Sequence, residues 1–543
     1  MFILAKELKK SPQEITKEYE QNLTNNKKQP LPKFIKKIEA TGPFLNFYLD
    51  NTQEIKETLT TILNEKQIKI QIENPQKLLI EYPSPNTNKS LHLGHVRNIL
   101  LGNALSKIFK KVGHDAIRIC LNNDRGIALS KSMIGYQKFH SNDSPESLNL
   151  KTDEFVSMCY VRFGKEAKEN PELDKEAQDM LLAWEKGDKQ VLALWKKILD
   201  WVFVGYKETY KNYKLEKFDK EYYESQIYDK GKEIVKDALK RKVKGFQTDK
   251  ENGAILCDFE DKTLGKKYML RGDGTTLYIT QDLYLAYEKQ KEFNADKYIF
   301  IVGQEQIHQF NVLFEILDRI GFGGVEKNYH YAYGYVYDKN GKKFSSRKGE
   351  TIGADWILNK ITRAAKENLL TKELTKNLSE NELNKRSKII GYSALSFSFL
   401  KMNPLSDIKF DIDNALAFEG ETGPYVQYTY ARIKSILRKS KINTNTEQNK
   451  LDINLYDEKE ISLIKLLSEY QNTVLEASNK YKPSSIVQYL IKVSQKLNEY
   501  YQSHHILSEE ENIKIARLQL IQAVSIVLKD GLDIIGIEVL EEM

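Results

Sequence analysis

Apolar and polar positions first mark out one compact stretch. Lys77-Leu78-Leu79-Ile80-Glu81-Tyr82 is a short apolar run with little alternation, which predicts a buried strand. Pro83-Ser84-Pro85-Asn86-Thr87-Asn88 is a turn by composition. Between Val96 and Lys110, Ile99, Leu100, Leu101, Leu105, Ile108 and Phe109 recur at helical spacing, and Gly113 is a stop signal. Ala116 to Leu121 predicts the next strand. Strand, tight loop, helix and strand make a βαβ unit, and that implies a parallel sheet.

The flanking patterns differ. In residues 1–73, Ile3, Leu4, Leu8, Ile15 and Tyr19 can line one side of a helix, and Gly42 to Leu49 reads as a strand, so a small α/β unit is expected. Residues 140–265 are polar and largely helical by pattern, with apolar stripes over Asp153 to Lys165, Asp174 to Lys186 and Gln190 to Tyr213. They read as an insertion. The sheet is expected to resume at about Gly274, with Asp282 leading into a helix over Leu283 to Lys291 and a strand over Lys297 to Val302. From 410 onward the pattern is all-helical, with helices expected over 425–439, 458–476, 483–503 and 511–535. The expected class is α/β: a Rossmann-type parallel-sheet domain over 74–409, preceded by the small unit and followed by an all-α bundle over 410–543.

Composition narrows the setting. With 543 residues, 41% hydrophobic and 12 prolines, the chain can bury large cores. No stretch approaches the ~18 apolar residues of a membrane span. Met1-Phe2-Ile3-Leu4 is too short for a secretory segment. Cys120, Cys159 and Cys257 stand far apart. Neither a disulfide framework nor a zinc site follows, so a cytoplasmic location is expected. Lys and Arg number 83 against 76 acids, a net +7, which permits nucleic-acid binding without demanding it.

In a βαβ unit the first loop lies at the carboxyl end of the strand, where open α/β sheets bind ligands. The helix N-terminus there suits phosphate. Lys89, His92 and His95 add donors, and Gly94 allows close approach to the backbone. A nucleotide phosphate site is expected. His92-Leu93-Gly94-His95 resembles the His-Ile-Gly-His signature of class I aminoacyl-tRNA synthetases. The longer string from Glu81 to His95 is similar to the arginyl-tRNA synthetase version. Gly341 to Gly349 resembles the Lys-Met-Ser-Lys-Ser loop in degenerate form, with Lys343 at the first lysine and Ser345 at the first serine. Ser346 stands where most class I enzymes have the second lysine. Many arginyl enzymes carry a lysine just before His-Ile-Gly-His instead, and Lys89 is at that place. Arg125, in Asn122-Asn123-Asp124-Arg125-Gly126, departs from the family's aromatic, which leaves its role open.

The resemblance implies ATP-dependent activation of L-arginine and transfer to the terminal ribose of arginine tRNA. It implies phosphate stabilisation by Lys89, His92, His95 and Lys343, with Gly94, Phe344, Ser345 and Ser346 completing the ATP site. It gives arginine to Glu81, Asn86, Tyr278, Asp282 and Gln306. These types suit a guanidinium, which is planar, permanently charged and best met by carboxylates in forked geometry. Tyr278 can cover the aliphatic stem, and Asn86 and Gln306 can hold the α-amino and α-carboxylate ends. The first unit is expected to contact the tRNA elbow. The helical bundle is expected to bind the anticodon stem and loop through Tyr425, Tyr428, Arg432, Lys434 and Arg438, since tyrosine with basic residues suits unpaired bases and phosphate. Mg²⁺ would come with ATP, without a protein metal cage, and a monomer is expected. Two alternatives stand beside this reading: a catalytically inactive relative that only binds tRNA, and another class I specificity. The cysteinyl type would want zinc-ligand cysteines, which the spacing does not supply.

Overall fold

Five short runs pair into one parallel sheet. They are β1 (Lys77–Glu81), β2 (Asp115–Asn122), β3 (Lys220–Tyr223), β4 (Lys297–Gly303) and β5 (Asn328–Tyr333). Their order is β5-β4-β1-β2-β3, and every neighbouring pair is parallel. The computed structural model describes residues 2–25, 30–32, 34–49, 52–64, 68–261, 263–341, 353–371, 378–442 and 451–543. Leu78, Leu79 and Ile80 are buried, as a strand covered on both faces requires. The order reverses between β1 and β4, so their carboxyl ends flank the crevice where such sheets take ligands.

Helix α1 (Leu93–Lys111) returns the chain from β1 to β2. It buries residues on nearly all sides. It lies close to β1 because residue 102 is glycine: a Cβ there would meet the Tyr82 ring at 2.3 Å. Helix α2 (Tyr278–Phe293) precedes β4, and α3 (Ile307–Ile320) follows it. Their inner faces, with Leu283, Leu285, Phe310 and Leu313, share a core with Tyr298 and Phe300 of β4.

Arg97 of α1 is fully buried and bonds backbone. One terminal nitrogen donates to the carbonyls of Gly334 at 2.6 Å and Tyr335 at 3.3 Å. The other donates to those of Pro404 and Ser406, both at 2.8 Å. These carbonyls precede the parallel pair Val336–Asp338 and Ile408–Phe410, so one side chain ties both segments to the helix that carries the first signature. Burial pulls its pKa down to about 10. Arg97→Met strands these carbonyls without donors and is expected to cost about 3 kcal/mol. A fall in the urea midpoint reads this out; a midpoint equal to the parent's would mean that the carbonyls find other donors.

Several sequence expectations need correction. The stretch 140–265 is helical over Thr152–Glu169, Glu172–Glu185 and Lys189–Asn212, and again over Lys232–Lys240, but strands interrupt it. The main sheet then resumes at β3, well before 274, and Phe246–Thr248, Ile255–Asp258 and Lys266–Leu270 form a small antiparallel sheet. Residues 274–282 are not a strand: α2 begins at Tyr278, and Asp282 lies inside it rather than at its start. The first helix is broken in two, Phe2–Leu8 and Pro12–Thr24, where Ser11 and Glu14 form a reciprocal cap. The strand read over 42–49 is half of a hairpin, Ile35–Thr41 with Phe44–Leu49, turned at Gly42 with φ +57°. The span 458–476 is two helices, Glu458–Ser468 and Tyr470–Asn479.

The chain packs as two compact units, and these do not coincide with the three segments read from sequence. One comprises 1–68, 435–470 and 495–527, the other 69–434, 471–494 and 528–543. Within the first, Thr52–Asn64 packs on Glu458–Ser468, and buried Glu460 accepts from Arg517 Nε and the Tyr500 hydroxyl, both at 2.9 Å. The basic helix α4 (Gly423–Ser440) is as expected.

Candidate active site

A cleft of about 610 Å³ opens at the carboxyl ends of β1 and β4. Glu81, Asn86, Lys89, His92, Gly94, His95, Tyr278, Asp282 and Gln306 all line it. Residues read as phosphate-binding and as arginine-binding therefore meet in one cavity. Lys343, Phe344, Ser345 and Ser346 lie outside the described residues.

The turn after β1 is pinned from several sides. Leu121 N–H donates to Ser84 Oγ at 3.1 Å, and Thr87 Oγ1 donates to the Asn123 carbonyl at 2.9 Å. The buried Tyr206 hydroxyl donates to the carbonyls of Asn86 and Lys89, at 2.9 and 2.7 Å. Rigid support of this kind keeps a binding turn in one geometry.

His92 caps α1, and His95 sits in its first turn. Gly94 N–H donates to His92 Nδ1, and His92 N–H donates to His95 Nδ1, both at 3.1 Å. The rings lie 4.0 Å apart. Each Nδ1 is thus an acceptor, and the neutral ring must carry its proton on Nε2. Burial, helped by the Lys89 charge, pushes His92 down to about 4. Burial, His92 and Lys89 hold His95 well below the usual histidine range. At neutral pH both rings are uncharged and keep Nε2–H donors for a ligand. Burial also lowers the Lys89 ammonium.

The opposite end of the cleft is acidic. Glu81 ends β1, and Asp282 projects from α2 a turn beyond Tyr278. Burial pushes the Asp282 carboxyl up to about 7, and Glu81 adds to this, whereas Lys289 and a hydrogen bond with Gln309 oppose it. The charge of Asp282, then burial, raises the Tyr278 phenol. Glu81 is not an unpaired acid awaiting a cation, because Lys289 Nζ bonds to its Oε2. Lys289, which the sequence pattern did not single out, also lines the cleft. Its signal is spacing: Tyr278, Asp282 and Lys289 fall within about 40° around α2.

Arg125 does not line this cleft. Its guanidinium lies 4.0 Å from the Tyr228 ring centroid and 5.6 Å from that of Trp184, and it pairs with Glu185. It anchors the helical insertion. Trp184 and Trp195 pack edge to face, and Trp201 meets Phe155 and Tyr136 the same way.

On α4, Tyr425, Tyr428 and Arg432 lie within about 60° of one another, but Lys434 and Arg438 fall on the far side. The five do not form one stripe. Lys434 is half-buried and pairs with Glu541 at 3.5 Å.

Comparison with known proteins places the chain in a family. A family model for the catalytic domain of class I tRNA synthetases (R) matches residues 58–412. A DALR anticodon-binding domain matches 426–543, and an arginyl-tRNA synthetase N-terminal domain matches 1–49. The arginine–tRNA ligase of Treponema denticola is 37% identical over all of this chain and 92% of its own length. That of Borreliella burgdorferi is 34% identical over the same shares. The solved arginyl-tRNA synthetase of Thermus thermophilus superposes with a TM-score of 0.79 at 25% identity, covering 100% of this chain and 93% of the other. The chain belongs to the arginyl-tRNA synthetase family of class I aminoacyl-tRNA synthetases.

Proposed function

We propose that the cleft joins L-arginine to ATP and passes the arginyl group to the 3′-terminal ribose of an arginine tRNA, releasing AMP and diphosphate. The observation that carries this reading is the meeting, in one cavity, of a paired acidic end and two neutral histidines at a helix N-terminus. Glu81 and Asp282 receive the guanidinium, Tyr278 covers the stem, and Asn86 and Gln306 hold the α-amino and α-carboxylate groups. The arginine carboxylate oxygen attacks the α-phosphorus. The bond from that phosphorus to the bridging oxygen breaks, and diphosphate leaves. A terminal ribose hydroxyl, the 2′ by resemblance, then attacks the activated carbonyl and AMP departs.

No side chain need act as nucleophile, so positioning and charge stabilisation carry the rate. His92 and His95 donate Nε2–H to phosphate oxygens. Lys89, and Lys343 by resemblance, neutralise developing charge, with Gly94, Phe344, Ser345 and Ser346 framing the nucleotide. Magnesium carried by the triphosphate would screen the same oxygens. Among the described residues no three His, Cys, Asp or Glu gather to hold a metal.

Residues 1–73 are assigned to the tRNA elbow, 74–409 to catalysis and 410–543 to the anticodon arm. Among the described residues no helix is long and apolar enough to cross a membrane. A monomer working in the cytoplasm is part of the same proposed reading. The exposed face of α4 with Tyr428 and Arg432 is assigned to unpaired bases and phosphate. Tyr428→Ala is expected to raise the KM for tRNA about tenfold, since stacking is worth ~1–3 kcal/mol per base. The KM for arginine should not move; equal shifts in both would return Tyr428 to a packing role. The function itself is tested by aminoacylation of total tRNA with each of the twenty amino acids. Arginine alone should be charged, and charging of none would leave an inactive tRNA-binding relative.

A further inference from the structure

Lys289 is a lysine where a solvated one would be expected. It lies in the second half of α2, yet its side chain is 3% exposed. Its ammonium meets Glu81 Oε2 and lies 4.8 Å from the Phe300 ring centroid. The other oxygen, Glu81 Oε1, receives the Ser84 hydroxyl at 3.4 Å. Lys289, Asp282, Glu81 and Tyr278 line the same cleft. With both carboxylates ionised, two carboxylates and one ammonium leave that end with one net negative charge, which equals and opposes one guanidinium.

We propose that Lys289 is a positioning residue of the amino-acid pocket: it holds Glu81 by one carboxylate oxygen and leaves the other, with Asp282, to face the substrate guanidinium. This rests on the reading of Glu81 and Asp282 as arginine ligands. A buried carboxylate without its cation takes up a proton, and a protonated carboxyl is a poor partner for guanidinium. The other titratable groups near Glu81 cannot replace the ammonium. Cys120 of β2 and Tyr222 of β3 are both raised by burial and remain neutral, as does Tyr278. Asp282 adds charge of the wrong sign.

The test uses the full chain with Lys289→Met, Lys289→Arg, Glu81→Gln and the Lys289→Met/Glu81→Gln pair. Arginine and ATP kinetics are measured in aminoacylation from about pH 6 to about pH 9, with a thermal melt of each variant. Lys289→Met should lower kcat/KM for arginine at least tenfold at pH 7 through KM, with the KM for ATP within twofold. The deficit should shrink toward pH 9, as Asp282, which Lys289 no longer holds down, becomes ionised. Lys289→Arg should recover most of the loss. The double variant should be no worse than Glu81→Gln, because Lys289 acts through Glu81. A Lys289→Met enzyme within twofold of the parent at pH 7, or a deficit constant with pH, overturns the proposal. So does a joint rise in both KM values, which marks a merely structural role. If Glu81→Gln raises the KM for arginine and Lys289→Met does not, only the role of Lys289 fails. If Glu81→Gln is itself silent, the pocket reading fails and takes the proposal with it.

Discussion

Asp282→Asn is expected to lower kcat/KM for arginine by about two orders of magnitude or more, while ATP binding stays near the parent value. The amide keeps the shape and removes the charge. A guanidinium then sits in a half-buried pocket with one ionic partner missing, which costs about 3–5 kcal/mol. ATP occupies the other end of the cleft, beside Lys89 and the histidines, and does not meet this carboxyl. The parent should show a pH signature. Burial raises Asp282 to about 7, and only its ionised form pairs with guanidinium. Arginine kcat/KM, which reports the free enzyme, should therefore climb as pH rises through about 7 and level above it. The variant should lack that limb. Equal losses for arginine and ATP, or an unchanged pH profile, would remove Asp282 from the amino-acid pocket.

His95→Ala should act on the other coordinate. Loss of a preorganised donor to a developing oxyanion costs about 10²–10³ in kcat. Because the Nε2–H bond strengthens as charge builds on phosphate, kcat and kcat/KM should fall together and the KM for arginine should hold. His92 titrates near 4 and His95 well below the usual range, so protonation of these rings should not shape the rate at neutral pH. His95 also accepts the His92 N–H, and a thermal melt separates lost capping from lost catalysis. A kcat within a few-fold of the parent would leave His95 a capping residue alone.

How far the sequence carried these assignments varies along the chain. The run from β1 to β2 was legible to within a few residues, because apolar blocks, prolines and glycine punctuate it without conflict. The cleft residues were legible through resemblance, since no local pattern brings Glu81 and Asp282 together. Lys220–Tyr223 was not legible: a polar four-residue edge strand has a neighbour on one side only, and nothing in Lys-Glu-Tyr-Tyr demands pairing. Thr275 to Thr280 is rich in β-branched and aromatic residues and reads as strand, yet from Tyr278 on the chain winds into α2, which packs on the core around β4. Lys289 stayed hidden because a lysine among Glu288 and Gln290 looks like a solvated helix face; its burial is a property of the sheet it meets.

The central strand β1 waits for β4, and 208 residues separate Glu81 from Lys289. At about 5–20 residues per second a ribosome needs roughly 10–40 s to make that interval. For most of that time β1 and β2 are both made, while the flank of β1 that will pair with β4 is an open, apolar edge. Such an edge invites pairing with other chains. The nascent protein therefore passes through a stage in which its most aggregation-prone surface is the very strand that ends in Glu81. Chaperone demand during synthesis should peak between the emergence of residue 122 and that of residue 303.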